Sequence, residues 1–67
     1  MNIIINNKEE YFEEEKLLLP ELLKLKNFTF KMLVIKINGV LIKKSDWDTS
    51  EIKDGDVVIV LHLISGG

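Results

Sequence analysis

Sixty-seven residues, 46% hydrophobic and 30% charged, fit one small domain and leave no room for a second core. With no cysteine, one histidine and a net charge of −2, the chain lacks the means for a disulfide framework, a thiolate or paired-histidine metal site, or the basic footprint of a nucleic-acid binder. All nine basic residues are lysine, so bidentate guanidinium contacts are absent, and the longest apolar run, Val57–Leu61, falls far short of the stretch of about 20 residues that spans a bilayer.

The first element expected is a strand over Asn2–Asn6, where Ile3, Ile4 and Ile5 form a β-branched run closed by an Asn6-Asn7 turn. Lys8 to Glu15 is charged apart from Tyr11 and Phe12, a pattern that suits an edge strand because charges discourage pairing with other chains. Leu17 to Leu25 is the helical candidate. At 100° per residue, Leu18, Leu19, Leu22, Leu23 and Leu25 fall within an arc of roughly 160°, a stripe that predicts a core-facing side. Pro20 is compatible only with the first turn, so the helix should begin at Leu19 or Pro20 and end near Asn27. No Ser, Thr, Asp or Asn stands at its start, and it must depend on tertiary packing.

After Met32 the period changes to two. Leu33, Ile35 and Ile37 alternate with Val34 and Lys36 as a strand, Asn38-Gly39 is a strong hairpin signal, and Val40-Leu41-Ile42 returns. Lys43 to Lys53 reads as a polar connection with a short helical turn around Trp47. Asp54-Gly55-Asp56 is a turn, and Val57–Ile64 is the most apolar strand, which predicts a central place in the sheet. The chain closes on Ser65-Gly66-Gly67. The pattern predicts an α+β domain over 1–67, a mixed sheet of about five strands with one main helix on one face. Inserting the last strand beside the first yields the order second, first, last, third, fourth, the β-grasp (ubiquitin-like) topology, with a flexible Gly-Gly tail at about 64–67.

Catalytic and metal constellations find little support. His62 sits inside an apolar strand with no nucleophile elbow nearby, and reads as a buried or half-buried packing residue. Glu13, Glu14 and Glu15 read as a solvated charge run, since neighbouring strand residues point to opposite faces. Asp54-Gly55-Asp56 is too short for a calcium loop, whose ligands spread over about 12 residues. Trp47 reads as core packing. The Gly66-Gly67 end stands apart, because glycine at about 7% of average composition would fill both last places in roughly 0.5% of chains. Without Cβ atoms such a tail can thread a narrow channel and deliver a terminal carboxylate to another protein's active site. That group is an anion at pH 7, its pKa lying near 3.5, and therefore needs activation by a partner.

Four features in order carry a family resemblance: Val34-Ile35-Lys36-Ile37-Asn38-Gly39-Val40-Leu41-Ile42, then Lys44-Ser45-Asp46-Trp47, then Asp54-Gly55-Asp56, then a strand into Gly66-Gly67. Together they resemble the ThiS family of sulfur carriers in thiamine (thiazole) biosynthesis. The motifs cover about half of the chain, and its length and leucine-rich helix agree over the rest. It departs from the family pattern at Leu18, where Thr or Ser usually opens the helix, at Asn6-Asn7 in place of Asn-Gly, and at Lys44 where Arg is common. The resemblance implies that an adenylating (E1-like) enzyme uses ATP and magnesium to activate the carboxylate of Gly67. A sulfur donor system then converts it to a thiocarboxylate, and thiazole synthase consumes the sulfur. Gly66 provides access. On this reading the chain is a cytoplasmic carrier rather than an enzyme and binds no metal or cofactor itself. The small subunit of molybdopterin synthase and ubiquitin-like protein modifiers are the alternatives with the same Gly-Gly end.

Strand alternation sorts the side chains onto two faces. Ile3, Ile5, Leu33, Ile35, Val58 and Val60 should face the helix, and Ile4, Lys36, Ile59 and Leu61 the other side. With no chain left to cover the second face, these four form the expected partner-docking patch.

Overall fold

The structure, a computed structural model, describes residues 1–28 and 32–63. Strands β1 (Asn2–Ile5) and β2 (Lys8–Tyr11) form a hairpin, followed by the short strand β3 (Lys16–Leu18) and helix α1 (Leu19–Leu25). A second hairpin joins β4 (Leu33–Ile37) to β5 (Val40–Ile42). A 3₁₀ helix over Lys44–Thr49 leads to β6 (Glu51–Lys53), and β7 (Val57–His62) completes the described fold. The main sheet has the order β2-β1-β7-β4-β5. In it β1 and β7 are parallel and the other neighbours antiparallel. This is the expected β-grasp arrangement.

Local chemistry accounts for both hairpins. Asn6 and Asn7 have φ of 49° and 70° between the paired residues Ile5 and Lys8. Asn38 and Gly39 have φ of 51° and 82° between Ile37 and Val40. Two-residue turns with positive φ match the twist of the strands they join, and Asn and Gly occupy that region most readily. The helix begins at Leu19 with Pro20 in its first turn. Its start is secured by the Glu21 carboxylate, which accepts the Leu18 N–H at 3.0 Å, and by the Ser50 carbonyl, which accepts the Leu19 N–H at 2.8 Å.

One core lies between the inner face of the sheet and α1. Ile3, Ile5, Ile35, Val58 and Val60 from the sheet are buried against Leu19, Leu22 and Leu23; Leu33 is half-buried at the margin. Four expectations need correction, one of them the extent of the edge strand, which ends at Tyr11 rather than continuing to Glu15. Leu18 and Leu25 are exposed, because Leu18 has extended backbone ahead of the helix and Leu25 lies in its last turn. Leu17 is buried instead, paired with the buried Ile52 in a two-stranded antiparallel sheet of β3 and β6. The Lys43–Lys53 connection therefore contains a strand as well as a helical turn. Its three residues hold a single apolar side chain, too little to produce a readable alternation. His62 is exposed, since Val60 is the last buried residue of β7 and the core ends before it. The other assignments to packing and turns agree with the structure. Trp47 is half-buried against the core and donates its indole N–H to the Ile42 carbonyl at 3.2 Å. Gly55, with φ 86°, turns the chain into β7. Glu13, Glu14 and Glu15 are exposed in a bend that follows β2 rather than in a strand.

Candidate functional site: the last strand and the outer sheet face

The site expected from the sequence is the end of the chain together with the surface beside it. Gly66 and Gly67 lie outside the described residues, as does Ile64 at the expected end of the last strand. Residues 64–67 can reach no further than roughly 14 Å from Leu63 even when fully extended.

Strand β7 is held from both sides. β4 pairs with it from Ile37↔Val58 to Leu33↔His62, and the Met32 carbonyl accepts the Leu63 N–H at 2.9 Å. On the opposite side β1 stops at Ile5, but Asn6 extends its grip. The Asn6 N–H donates to the Val58 carbonyl at 3.0 Å. Its side-chain amide accepts from the Val60 N–H at 2.8 Å and donates to the Val60 carbonyl at 3.1 Å, reproducing with a side chain the ladder contacts of another strand residue. Asn38 does the same at the start of β7. Its N–H donates to the Val57 carbonyl at 2.7 Å, and its side-chain oxygen accepts the Val57 N–H at 2.9 Å. Sequence reasoning saw these asparagines only as turn residues. Their amides were the available signal, because Asn can occupy the turn and also donate and accept across it.

The four expected docking residues do share one face. Lys36 is opposite Ile59, Val34 opposite Leu61, and Ile4 opposite Val57. Ile4 and Ile59 are half-buried, Lys36 is exposed, and Leu61 is 50% exposed. Register adds Leu41, opposite Lys36 and 58% exposed, to the same surface. The helix and the β3–β6 sheet contribute their buried side chains to the core on the inner side, so the outer face remains open among the described residues. An open groove at one corner is bordered by Asn2, Ile4, Glu9 and Gly55. It lies near the start of β7. Among the described residues, no three His, Asp or Glu side chains are grouped to hold a metal ion, and no helix is long and apolar enough to cross a membrane.

The sheet order, the helix on one face and a pinned central strand leading toward Gly-Gly define a β-grasp domain of the carrier type. The ThiS family model matches residues 3–67, and the chain belongs to that family, small sulfur carriers of thiamine biosynthesis. The crystal structure of a thiamine biosynthesis protein (ThiS) from Geobacter metallireducens is 32% identical, with a TM-score of 0.87 and full coverage of both chains. A solution structure of a thiamine biosynthesis protein from the same organism is also 32% identical, with a TM-score of 0.77, and the match covers 100% of this chain and 88% of that one. The chain is also 26% identical over 61 residues to the uncharacterized protein ycf40 of Trieres chinensis, covering 91% of this chain and 84% of that protein.

Proposed function

We propose that this chain carries sulfur as a thiocarboxylate on Gly67 and delivers it for the thiazole ring of thiamine. The observation that carries this reading is the position of β7, a central strand pinned on both sides whose direction leads into residues 64–67 beside an open apolar face. Membership in the ThiS family supports the same assignment. The chemistry follows from the terminal group. The Gly67 carboxylate attacks the α-phosphate of ATP and expels pyrophosphate, giving an acyl adenylate whose carbonyl is electrophilic. A sulfide-level nucleophile then displaces AMP and leaves the thiocarboxylate, a soft nucleophile that thiazole synthase can use. ATP and magnesium belong to the adenylating enzyme, the sulfur comes from a donor system, and this chain acts in the cytoplasm as a co-substrate with no catalytic residue of its own. Gly66 keeps the tail narrow enough to enter the enzyme. Ile4, Lys36, Ile59 and Leu61 form the surface on which the enzyme docks.

Mass spectrometry of the protein purified from its own host tests this directly. The expected result is a population heavier by the exchange of one oxygen for sulfur, located at Gly67. Deleting Gly67 should abolish adenylation and sulfur loading while leaving the thermal midpoint unchanged. A deletion variant that still accepts sulfur at its new end would overturn the proposal, and conjugates to lysines of other proteins would point to a modifier instead.

A further inference from the structure

Asn6 and Asn38 hold opposite ends of β7. Each leads a two-residue hairpin turn, with φ of 49° and 51°, and each turns its side-chain amide back onto the strand. The Asn38 amide accepts the Val57 N–H at 2.9 Å and donates to the Asp56 carboxylate at 3.0 Å, both in exposed surroundings. The Asn6 amide accepts the Val60 N–H at 2.8 Å and donates to the Val60 carbonyl at 3.1 Å, and these bonds are part-buried. Bonds withdrawn from water hold more firmly. The two amides also differ in what they replace. Val57 has backbone partners on both flanks, Ile4 of β1 and the Asn38 N–H. Val60 is paired with Ile35 of β4 on one flank. On the other, the backbone of the first hairpin reaches only to Val58, whose carbonyl accepts the Asn6 N–H at 3.0 Å, before turning away.

Paired strands twist more when they stand as a two-stranded ribbon than within a wider sheet. From Val60 to Leu63 the strand runs about 10 Å. A swing of about 20° at Val60, comparable to the angle between adjacent strands, would carry its end about 3 Å sideways. Misplacement by about 1 Å can cost a reaction about 10²-fold, and a short tail absorbs part of such an error. We infer that Asn6 is a positioning residue for the chemistry at Gly67. Its amide stands in for the missing backbone beside Val60 and sets the direction in which β7 delivers residues 64–67 to the adenylating enzyme. Asn38 fixes where the strand begins and leaves its far end unchanged. The inference rests on the proposed function for the reaction that Asn6 serves.

The two asparagines supply a matched pair of variants. Asn6→Gly and Asn38→Gly each keep the positive φ of the turn, and each removes two side-chain hydrogen bonds from one end of β7. Asn6→Asp keeps the acceptor for the Val60 N–H but sets a carboxylate oxygen against the Val60 carbonyl. The full chains are compared at a temperature where circular dichroism shows them folded. Adenylation is followed by ATP–pyrophosphate exchange with the adenylating enzyme of the same host, and amide nitrogen relaxation reports the order of Leu61 and Leu63. Both Asn6 variants should lower kcat at saturating carrier about tenfold and loosen Leu61 and Leu63, whereas Asn38→Gly should stay within about twofold of wild type in kcat. Should Asn6→Gly fail to fold, Asn6→Asp carries the same comparison. A kcat within about twofold of wild type for the folded Asn6 variants would overturn the inference. So would an equal loss in Asn38→Gly, which would trace the effect to general stability. A wild-type chain that is never adenylated would overturn the functional reading, and the order of Leu61 and Leu63 would then decide alone whether Asn6 directs the strand end.

Discussion

The two faces of β7 are built from the same residue types and meet different fates. Val58 and Val60 are 0% and 7% exposed beneath α1, whereas Leu61, one residue further on, is 50% exposed. Period-two alternation produces this division, and among the described residues a single α-helix covers one side of it. A chain this small buries only about 60% of the surface its unfolded form exposes, so covering both faces would require more layers than its length provides. Stability rests on the covered face, whereas the proposed docking surface lies on the open one, and substitutions should separate the two.

The largest effect should come from the covered side. Leu22 is completely buried between helix and sheet, and Leu22→Ala should cost about 2–5 kcal/mol. Total stability for a domain of this size is roughly 3–10 kcal/mol, so urea denaturation should show a severely weakened fold. A loss below about 1 kcal/mol would mean that the core collapses around the cavity and that the inner face contributes less than its burial indicates. On the open side, Leu61→Asp should weaken docking to the adenylating enzyme at least tenfold, about 1.4 kcal/mol, with an unchanged thermal midpoint. Unfolding of that variant would break the distinction between the faces.

A smaller effect is expected at the edge of β7. Asn6→Gly preserves the positive φ that the turn requires but removes the two side-chain bonds to Val60. With a net value of about 0.5–1.5 kcal/mol per bond, the two bonds together should cost the domain on the order of 1–3 kcal/mol. Amide exchange at Val60 should accelerate more than at Ile35, whose support comes from β4 pairing with its neighbours. Equal acceleration at both sites would show that Asn6 acts on the whole fold rather than on the strand that leads to the tail.

Much of this arrangement was legible before any coordinates. Alternation at Leu33–Ile37 and the apolar run from Val57 placed a strand pair at the centre, and the two Asn-led turns closed hairpins where expected. That Ile4, Lys36, Ile59 and Leu61 share one face was also legible, since it follows from the same alternation. The helical stripe was less faithful. It enlisted Leu18 and Leu25, which are exposed, and passed over Leu17, because periodicity describes an ideal helix without saying where the chain enters it. His62 was assigned to packing from its apolar neighbours in sequence, although the covering layer ends before it.

The sequence by itself determined which segments of the main sheet are extended, where two of the chain's turns reverse, where Pro20 allows the helix to begin, and that Gly-Gly follows the most apolar strand. These are local properties, set by allowed backbone angles and by the alternation of side chains. Only the tertiary structure decided that Leu17 and Ile52 meet in a second small sheet, which leucines are covered, and that the Asn6 amide takes over the β7 ladder where β1 ends. Each of these joins residues far apart in the chain. A three-residue strand or a lone amide acquires its partner only when the surrounding packing brings that partner within hydrogen-bond distance.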